Sequence, residues 1–325
     1  VLPEPFRGLG GRVLTNESLF ELEDLPESIG VIGAGPLGLE LAQALARLGV
    51  RVEVFDMEET LAGLEPGEIE ASLREPLQAE FPIHLGVKPE PSRAEDGACL
   101  RWGDGQEATF THLLVSAGRK PQLDGLDLGA AGIETDDHGT PRFDARTMKC
   151  GASPVFIAGD ADHALPVLHE ASAEGTIAGA NAARWPDVAP MTRKTRLQIM
   201  FTEPNFATVG DVPDKKDGHV AGRVDYRDQG RAKAMARNQG ICEIYAERAS
   251  GKLTGAVLVG PGIEHIAHLL AWSIGHGASA NDLLSNPFYH PTLEEGLKTA
   301  LQDICKTLSL KQPDEFNSSD LPGDF

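Results

Sequence analysis

The sequence predicts a parallel α/β unit followed by an α+β unit with an antiparallel sheet, and three observations predict it. A short apolar strand runs into Gly33-x-Gly35-x-x-Gly38 and then into a helix with apolar residues at helical spacing. A second apolar stretch, ending in Phe156-Ile157-Ala158-Gly159-Asp160, leads into a helix of small residues. From about residue 193, strand-like runs follow one another and helices come only at the end, the order of an antiparallel sheet with helices packed on it.

Residues 1–23 read as a lead-in connector, because Leu2-Pro3-Glu4-Pro5 and Gly8-Leu9-Gly10-Gly11 are loop chemistry. The first unit spans 24–121. Ser28–Ile32 is a buried strand. Leu39, Leu41, Ala42, Leu45, Ala46 and Leu48 make one apolar helix face, and Gly49 ends it. Val50–Asp56 is the next strand, a helix covers about 66–81, and hairpin strands are expected at 98–102 and 109–115. A central part, 122–192, carries the strand Pro154–Ala158 and a helix from about His169 to Arg184, stopped by Pro186. The third part, 193–325, holds strands near 197–201, 206–210, 222–226, 241–245 and 253–259, helices at 262–274 and 293–308, and a polar tail from Lys311.

The glycine turn carries the chemistry. Gly33 allows a tight turn, Gly35 lets the backbone approach a pyrophosphate, and Gly38 lets helix and strand pack closely. The helix start, with Pro36 and Leu37 inside the turn, offers free N–H groups and the positive end of its dipole to an anion. Asp56 ends the second strand where an acid accepts hydrogen bonds from the adenosine ribose. Met57, Glu58 and Glu59 follow it with no Arg or Lys, which favours NAD over NADP. Together these predict a Rossmann-type NAD-binding domain.

Other candidates have two readings each. Glu40, one turn into the helix, is a capping or surface carboxylate, or a group reaching the nicotinamide end. Gly159-Asp160 is an ordinary strand-to-turn junction or a ligand contact at a strand's carboxyl edge. His290-Pro291-Thr292-x-x-Glu295 is a helix start, with Pro291 in the first turn and Thr292 and Glu295 as a capping box, or an imidazole oriented by a carboxylate for acid–base work. His265 and His268 share a helix face, read as surface or interface because no third metal ligand clusters with them.

Composition excludes several classes. The 325 residues carry 29 basic against 49 acidic groups, a net charge of −20, so a nucleic-acid partner is not expected. The surplus acid reads as a solvated surface or as adaptation to high salt. No apolar run reaches membrane-span length, and the first residues have no signal-peptide character. Cys99, Cys150, Cys242 and Cys305 are widely spaced and read as reduced thiols, so a cytoplasmic protein is expected.

Taken in order, these motifs resemble the pyridine nucleotide-disulfide oxidoreductases, the flavoprotein family of dihydrolipoyl dehydrogenase, glutathione reductase and mercuric reductase. Ser116-Ala117-Gly118-Arg119-Lys120-Pro121 is similar to the segment that closes that family's NAD domain. Thr147, followed eight residues later by Val155–Asp160, is similar to its second flavin motif. Leu165-Pro166-Val167-Leu168-His169-Glu170-Ala171 resembles the segment against the flavin ring, Phe201–Gly210 the start of the dimerisation domain, and His290–Glu295 the catalytic signature. Asp56 and His169 lean toward dihydrolipoyl dehydrogenase.

The resemblance implies that 122–192 is a remnant of an FAD domain and that the intact enzyme passes electrons from a dithiol, through a disulfide and FAD, to NAD. His290 of a homodimer partner would take the thiol proton and Glu295 would fix its tautomer. Asp160 would hold the ribityl chain of FAD, with Gly159 and Pro166, Val167, Leu168 and His169 along the flavin. The family's first flavin motif and Cys-x4-Cys pair have no counterpart in this sequence, so the chain is expected to be truncated, inactive alone and weak or lacking in FAD binding. Pro36 and Leu37 stand where the family often has an aromatic–aliphatic pair. The competing classes are a non-catalytic NAD-binding and dimerisation module, and a soluble transhydrogenase-like flavoprotein.

Overall fold

Ser28–Ile32 is buried along its whole length, as a strand covered on both faces must be. The computed structural model describes residues 2–213 and 218–310. They fall into two compact units: residues 119–196 form one, and residues 2–118 with the chain from 197 onward form the other.

The larger unit opens with α1 (Glu4–Arg7), β1 (Val13–Leu14), β2 (Ser28–Ile32), α2 (Pro36–Arg47), β3 (Arg51–Phe55), α3 (Glu68–Glu80), β4 (Ile83–His84), β5 (Glu90–Ala94), β6 (Gly97–Trp102), β7 (Gln106–Phe110) and β8 (His112–Val115). A parallel sheet has the order β1-β8-β2-β3-β4, and β5-β6-β7 form an antiparallel meander. Alternation along the strands divides the cores. Ile29, Val31, Val52 and Val54 meet Leu39, Leu73 and Leu77 of the helices. Ile32 and Phe55 meet Leu100, Trp102 and Phe110 of the meander.

Two expectations change here. The lead-in is not a plain connector. Phe6, Leu9, Leu14 and Leu19 are buried, and that burial lets β1 join the parallel sheet beside β8. The expected strand at 109–115 breaks at Thr111, whose hydroxyl and amide both bond Ser28, so β7 ends in the meander and β8 starts in the main sheet.

Residues 119–196 contain the short antiparallel pair β9 (Phe143–Asp144) and β10 (Lys149–Cys150), then α4 (Leu168–Arg184). The strand expected at Pro154–Ala158 does not form. Its backbone reaches only residues 148–150, through one bridge between Lys149 and Phe156, and a single bridge is not a ladder.

From 197 follow β11 (Leu197–Met200), β12 (Asn205–Gly210), β13 (His219–Asp225), α5 (Gly230–Ala234), β14 (Ile241–Glu247), β15 (Leu253–Gly260), α6 (Ile263–Gly275), α7 (Ala280–Leu284) and α8 (Glu295–Thr307). The sheet is antiparallel, in the order β11-β12-β15-β14-β13. Ile266, Leu270, Leu297 and Leu301 of α6 and α8 cover one face. Met200, Phe206, Tyr245, Val257 and Val259 on the other share a core with Leu39, Leu73 and Leu77. The parts expected as separate domains, 24–121 and 193–325, are thus fused through common packing. The polar tail expected from Lys311 lies outside the described residues.

Candidate functional site

The glycine turn links β2 to α2. Gly33 has φ +110°, and a β-carbon there would lie 2.7 Å from the Ser116 carbonyl oxygen. A β-carbon on Gly38 would run into the Gly33 carbonyl and the Ser116 hydroxyl. Around Gly35, by contrast, nothing lies within 4 Å of the position a β-carbon would take. Gly35 is the N-cap of α2, no side chain caps the helix, and Pro36 occupies its first turn. The turn is therefore cramped on the protein side and open at Gly35, the shape a pyrophosphate cradle requires.

Asp56 completes this seat. One carboxylate oxygen accepts the Ala34 amide from within the turn, and the other accepts the Glu58 amide at 2.9 Å. The Ala62 amide returns to the Ala34 carbonyl at 3.0 Å, so the loop after β3 is tied to the turn. Ser116, not singled out by sequence as a site residue, donates its hydroxyl to the Ile32 carbonyl at 3.0 Å and holds the turn from behind. A lone serine beside Gly118 gave no signal of that role. Gly118 itself has φ +87° and donates its amide to the Ser116 carbonyl. Glu40 is half-buried, and its Oε1 accepts the Phe201 amide at 2.8 Å. It is not the free surface carboxylate of the simpler reading.

The structure brings His290 and Glu295 together. His290 Nδ1 lies 3.0 and 3.1 Å from the two Glu295 oxygens. The same carboxylate accepts the Thr292 amide at 3.1 Å. Those two donors, Thr292 first, hold the Glu295 carboxyl below its ordinary pKa. The expected helix start is only half right. α8 begins at Glu295 with Glu294 as N-cap, Pro291 lies before it, and the Thr292 hydroxyl donates to Tyr289 instead of capping. His290 is 80% exposed, with its other ring nitrogen directed away from the Glu295 contact.

Residues 119–196 hold the other candidates. Gly159, with φ +70°, donates its amide to Glu174 Oε2 at 2.8 Å. Asp160 is half exposed and pairs with Arg119 at 2.9 Å. Pro166 and Val167 lead into α4, Val167 is its N-cap, and Leu168 and His169 stand exposed at its start. Beneath them lies a cluster that sequence reasoning missed. Glu170 and Glu174 share Arg193 Nη2 at 2.7 and 2.6 Å. Asp162, buried beside Glu174, has its pKa pushed up to about 6, chiefly by burial and then by the neighbouring Glu174 carboxylate. Asp162 Oδ2 and Glu170 Oε1 accept no hydrogen bond.

Cys150, Cys242 and Cys305 are buried, Cys99 is half-buried, and all four are free thiols. Burial raises the pKa of Cys150, Cys242 and Cys305, so each is a poor nucleophile. His268 Nδ1 lies 2.6 Å from the Glu264 carbonyl, and among the described residues no cluster of His, Cys, Asp and Glu could hold a metal ion. No helix among the described residues is long and apolar enough to cross a membrane.

The family described as pyridine nucleotide-disulphide oxidoreductase matches residues 3–175, and its dimerisation domain matches residues 197–301. The chain is similar to the dihydrolipoyl dehydrogenases of Haloferax volcanii (30% identity over 90% of this chain) and Halobacterium salinarum (31% over 89%). It spans 63% of the length of each of these relatives. Among solved structures it is similar to LpdA from Mycobacterium tuberculosis, with a TM-score of 0.78, 25% identity, and coverage of 90% of this chain and 65% of that one. It shares its fold with the HOCl-induced flavoprotein disulfide reductase RclA from Escherichia coli, at a TM-score of 0.79, 20% identity, and coverage of 93% of this chain and 71% of that one.

Proposed function

We propose that this chain, which belongs to the pyridine nucleotide-disulphide oxidoreductase family, is the NAD-seating and subunit-pairing part of a dihydrolipoyl dehydrogenase-like enzyme. The observation that carries the NAD reading is the Asp56 carboxylate held at the glycine turn by the Ala34 amide. Gly33, Gly35, Pro36, Leu37 and Gly38 would seat the pyrophosphate on α2, and Asp56 would take the adenosine ribose hydroxyls. Gly118 would border the seat and Glu40 would face the nicotinamide end. A 2′-phosphate would meet Asp56, Glu58 and Glu59 with no basic residue beside them, which supports NAD over NADP.

When bound, NAD and FAD supply the hydride acceptor and the electron relay. Gly159, Asp160, Pro166, Val167, Leu168 and His169 would hold the ribityl side of FAD. The turn at Gly159 presents an exposed acid, as that contact needs, but these residues line only part of a flavin, so weak or no FAD retention is expected of this chain. Glu295 accepts a hydrogen bond from His290 Nδ1–H, which fixes that tautomer and leaves Nε2 free to take a proton from a substrate dithiol, a general-base role worth about 10²- to 10⁴-fold in rate. His290 would serve the partner subunit of a homodimer formed through the sheet and helices after residue 197. The dithiol oxidation itself needs a redox disulfide that Cys99, Cys150, Cys242 and Cys305 do not supply.

Calorimetric titration of the purified chain tests this reading. NAD should bind at least about tenfold more tightly than NADP, because like-charge contact costs more than the 1.4 kcal/mol that tenfold requires. Equal affinities would remove the assignment of Asp56. A flavin absorbance band at near-full occupancy would overturn the expectation of weak FAD binding.

A further inference from the structure

The helix that offers its N-terminus to the dinucleotide carries a polar edge that apolar packing does not explain. Glu40, Gln43 and Arg47 of α2 lie at i, i+3 and i+7, on one face. All three reach residues 201–203, between β11 and β12. Glu40 Oε1 accepts the Phe201 amide at 2.8 Å. Gln43 pairs with both edges of residue 203: its Oε1 accepts the Glu203 amide at 2.8 Å and its Nε2 donates to the Glu203 carbonyl at 2.9 Å. The same Nε2 donates to Glu80 Oε1 of α3 at 2.7 Å. Arg47 Nη1 meets Glu203 Oε2 at 2.8 Å, and its remaining nitrogens hold both Glu80 oxygens. Arg237 takes the other Glu203 oxygen at 2.8 Å.

Gln43 is only 4% exposed, yet its amide is fully used. An apolar contact would glue α2 to the sheet without fixing its position along the helix axis. A side-chain amide that bonds both N–H and C=O of one residue fixes that position. The ladder therefore sets where Phe201 N–H stands, and Phe201 N–H in turn aims the Glu40 carboxylate.

We propose that Gln43, assisted by Arg47 and Glu203, is a positioning residue for the nicotinamide end of NAD. It clamps residues 201–203 to α2 and so holds Glu40 in the orientation that meets the nicotinamide. This rests on the reading of the glycine turn as an NAD seat with Glu40 at its nicotinamide end. The adenosine end is held separately, by Asp56 and the loop after β3, and does not depend on the clamp.

The two ends can be read apart with two ligands. ADP-ribose carries the adenosine, pyrophosphate and second ribose but no nicotinamide. The full chain and its Gln43→Met variant, which keeps the side-chain length and loses the amide, are titrated with NAD and ADP-ribose, and NADH emission is recorded in each complex. The wild type should prefer NAD. Gln43→Met should lose about tenfold for NAD, the size of one well-made hydrogen bond to a charged group, with ADP-ribose changed less than about twofold. Its bound NADH should emit closer to free NADH. Equal weakening of both ligands, or no change in a folded variant, overturns the proposal. Should Gln43→Met fail to fold, Arg47→Met, which removes two ties at a half-exposed site, reads the same contrast, and an undiminished NAD preference there overturns it as well. A wild type that binds neither ligand defeats the NAD reading instead. A wild type that binds both equally defeats the role of Glu40 and this inference with it.

Discussion

Two regions of this chain each bring an acid to the end of a glycine turn, and they do it with different materials. Asp56 stands on a parallel sheet whose inward residues are Val31, Val52, Val54 and Phe55, backed by apolar helix faces. Asp160 stands above α4, whose buried residues are Glu170, Glu174, Ile177 and Asn181, with a separate small core around Ile133, Cys150 and Ile157. Apolar burial fixes the first turn. In the second, a hydrogen bond from the Gly159 amide to a buried carboxylate fixes it. The second arrangement carries three buried acids against the one guanidinium of Arg193.

The largest expected effect comes from cutting each core. Phe55→Ala, at a fully buried ring packed on His84, Trp102 and Phe110, should cost about 3–5 kcal/mol in denaturant unfolding. It should also weaken NAD binding, since the Phe55 carbonyl accepts the Gly33 amide. Ile157→Ala, in the smaller core, should cost about 2 kcal/mol, the low end for such a truncation. Equal losses would erase the contrast drawn from burial.

Next in size is a pH effect confined to residues 119–196. Burial raises the Asp162 pKa in the folded chain to about 6, above the ordinary carboxyl value near 3.9. Folding therefore favours the protonated acid. That stabilisation is complete below about pH 4 and is lost as pH rises through 6, a difference of about 3 kcal/mol by linkage. Asp162→Asn keeps the oxygen that accepts the Ala164 amide and cannot ionise. It should raise thermal stability at pH 8 and leave it unchanged near pH 4. A variant less stable than wild type at pH 8 would mean that the charged form is the one the fold prefers.

The same difference explains what could be read without a structure. Strand, glycine turn, helix and strand from Ser28 to Phe55 were legible because apolar period and turn glycines agree there, and the helices and strands after Leu197 were legible for the same reason. The pairing of His290 with Glu295 followed from short spacing next to a helix start. Pro154–Ala158 misled, since five apolar residues specify a strand only where a ladder partner exists, and residues 148–150 give it a single bridge. The bonds made by Gln43, Arg193 and Ser116 were not legible, because a polar side chain finds its partners far away in sequence, such as Glu203 for Gln43 and Ile32 for Ser116. The fusion of the first and third parts into one unit was equally invisible. Tyr245 and Val257 lie on strands covered on both faces, and their apolar character reads the same whether the covering layer is a helix of their own domain or one from far upstream.

The smallest expected effect concerns salt, and it too differs between the regions. Residues 119–196 carry nine basic and eleven acidic residues, while the remainder carries twenty and thirty-eight, so nearly all of the net −20 belongs to the part with the proposed NAD seat. Like charges spread over one surface repel, and at about 1 M salt the Debye length falls to about 3 Å, which screens all but contacting pairs. Raising salt from about 0.05 to 1 M should therefore stabilise that part by about 1 kcal/mol, the scale of summed exposed-charge interactions. It should also tighten NAD binding, because the ligand is an anion approaching an acidic surface. Hydrogen exchange followed segment by segment at the two salt concentrations separates the regions. Protection should rise in β2, β3, β14 and β15 and stay level in α4. An equal rise in α4 would show that salt acts by strengthening apolar burial everywhere, and the acidic surplus would then be a passive feature of the surface.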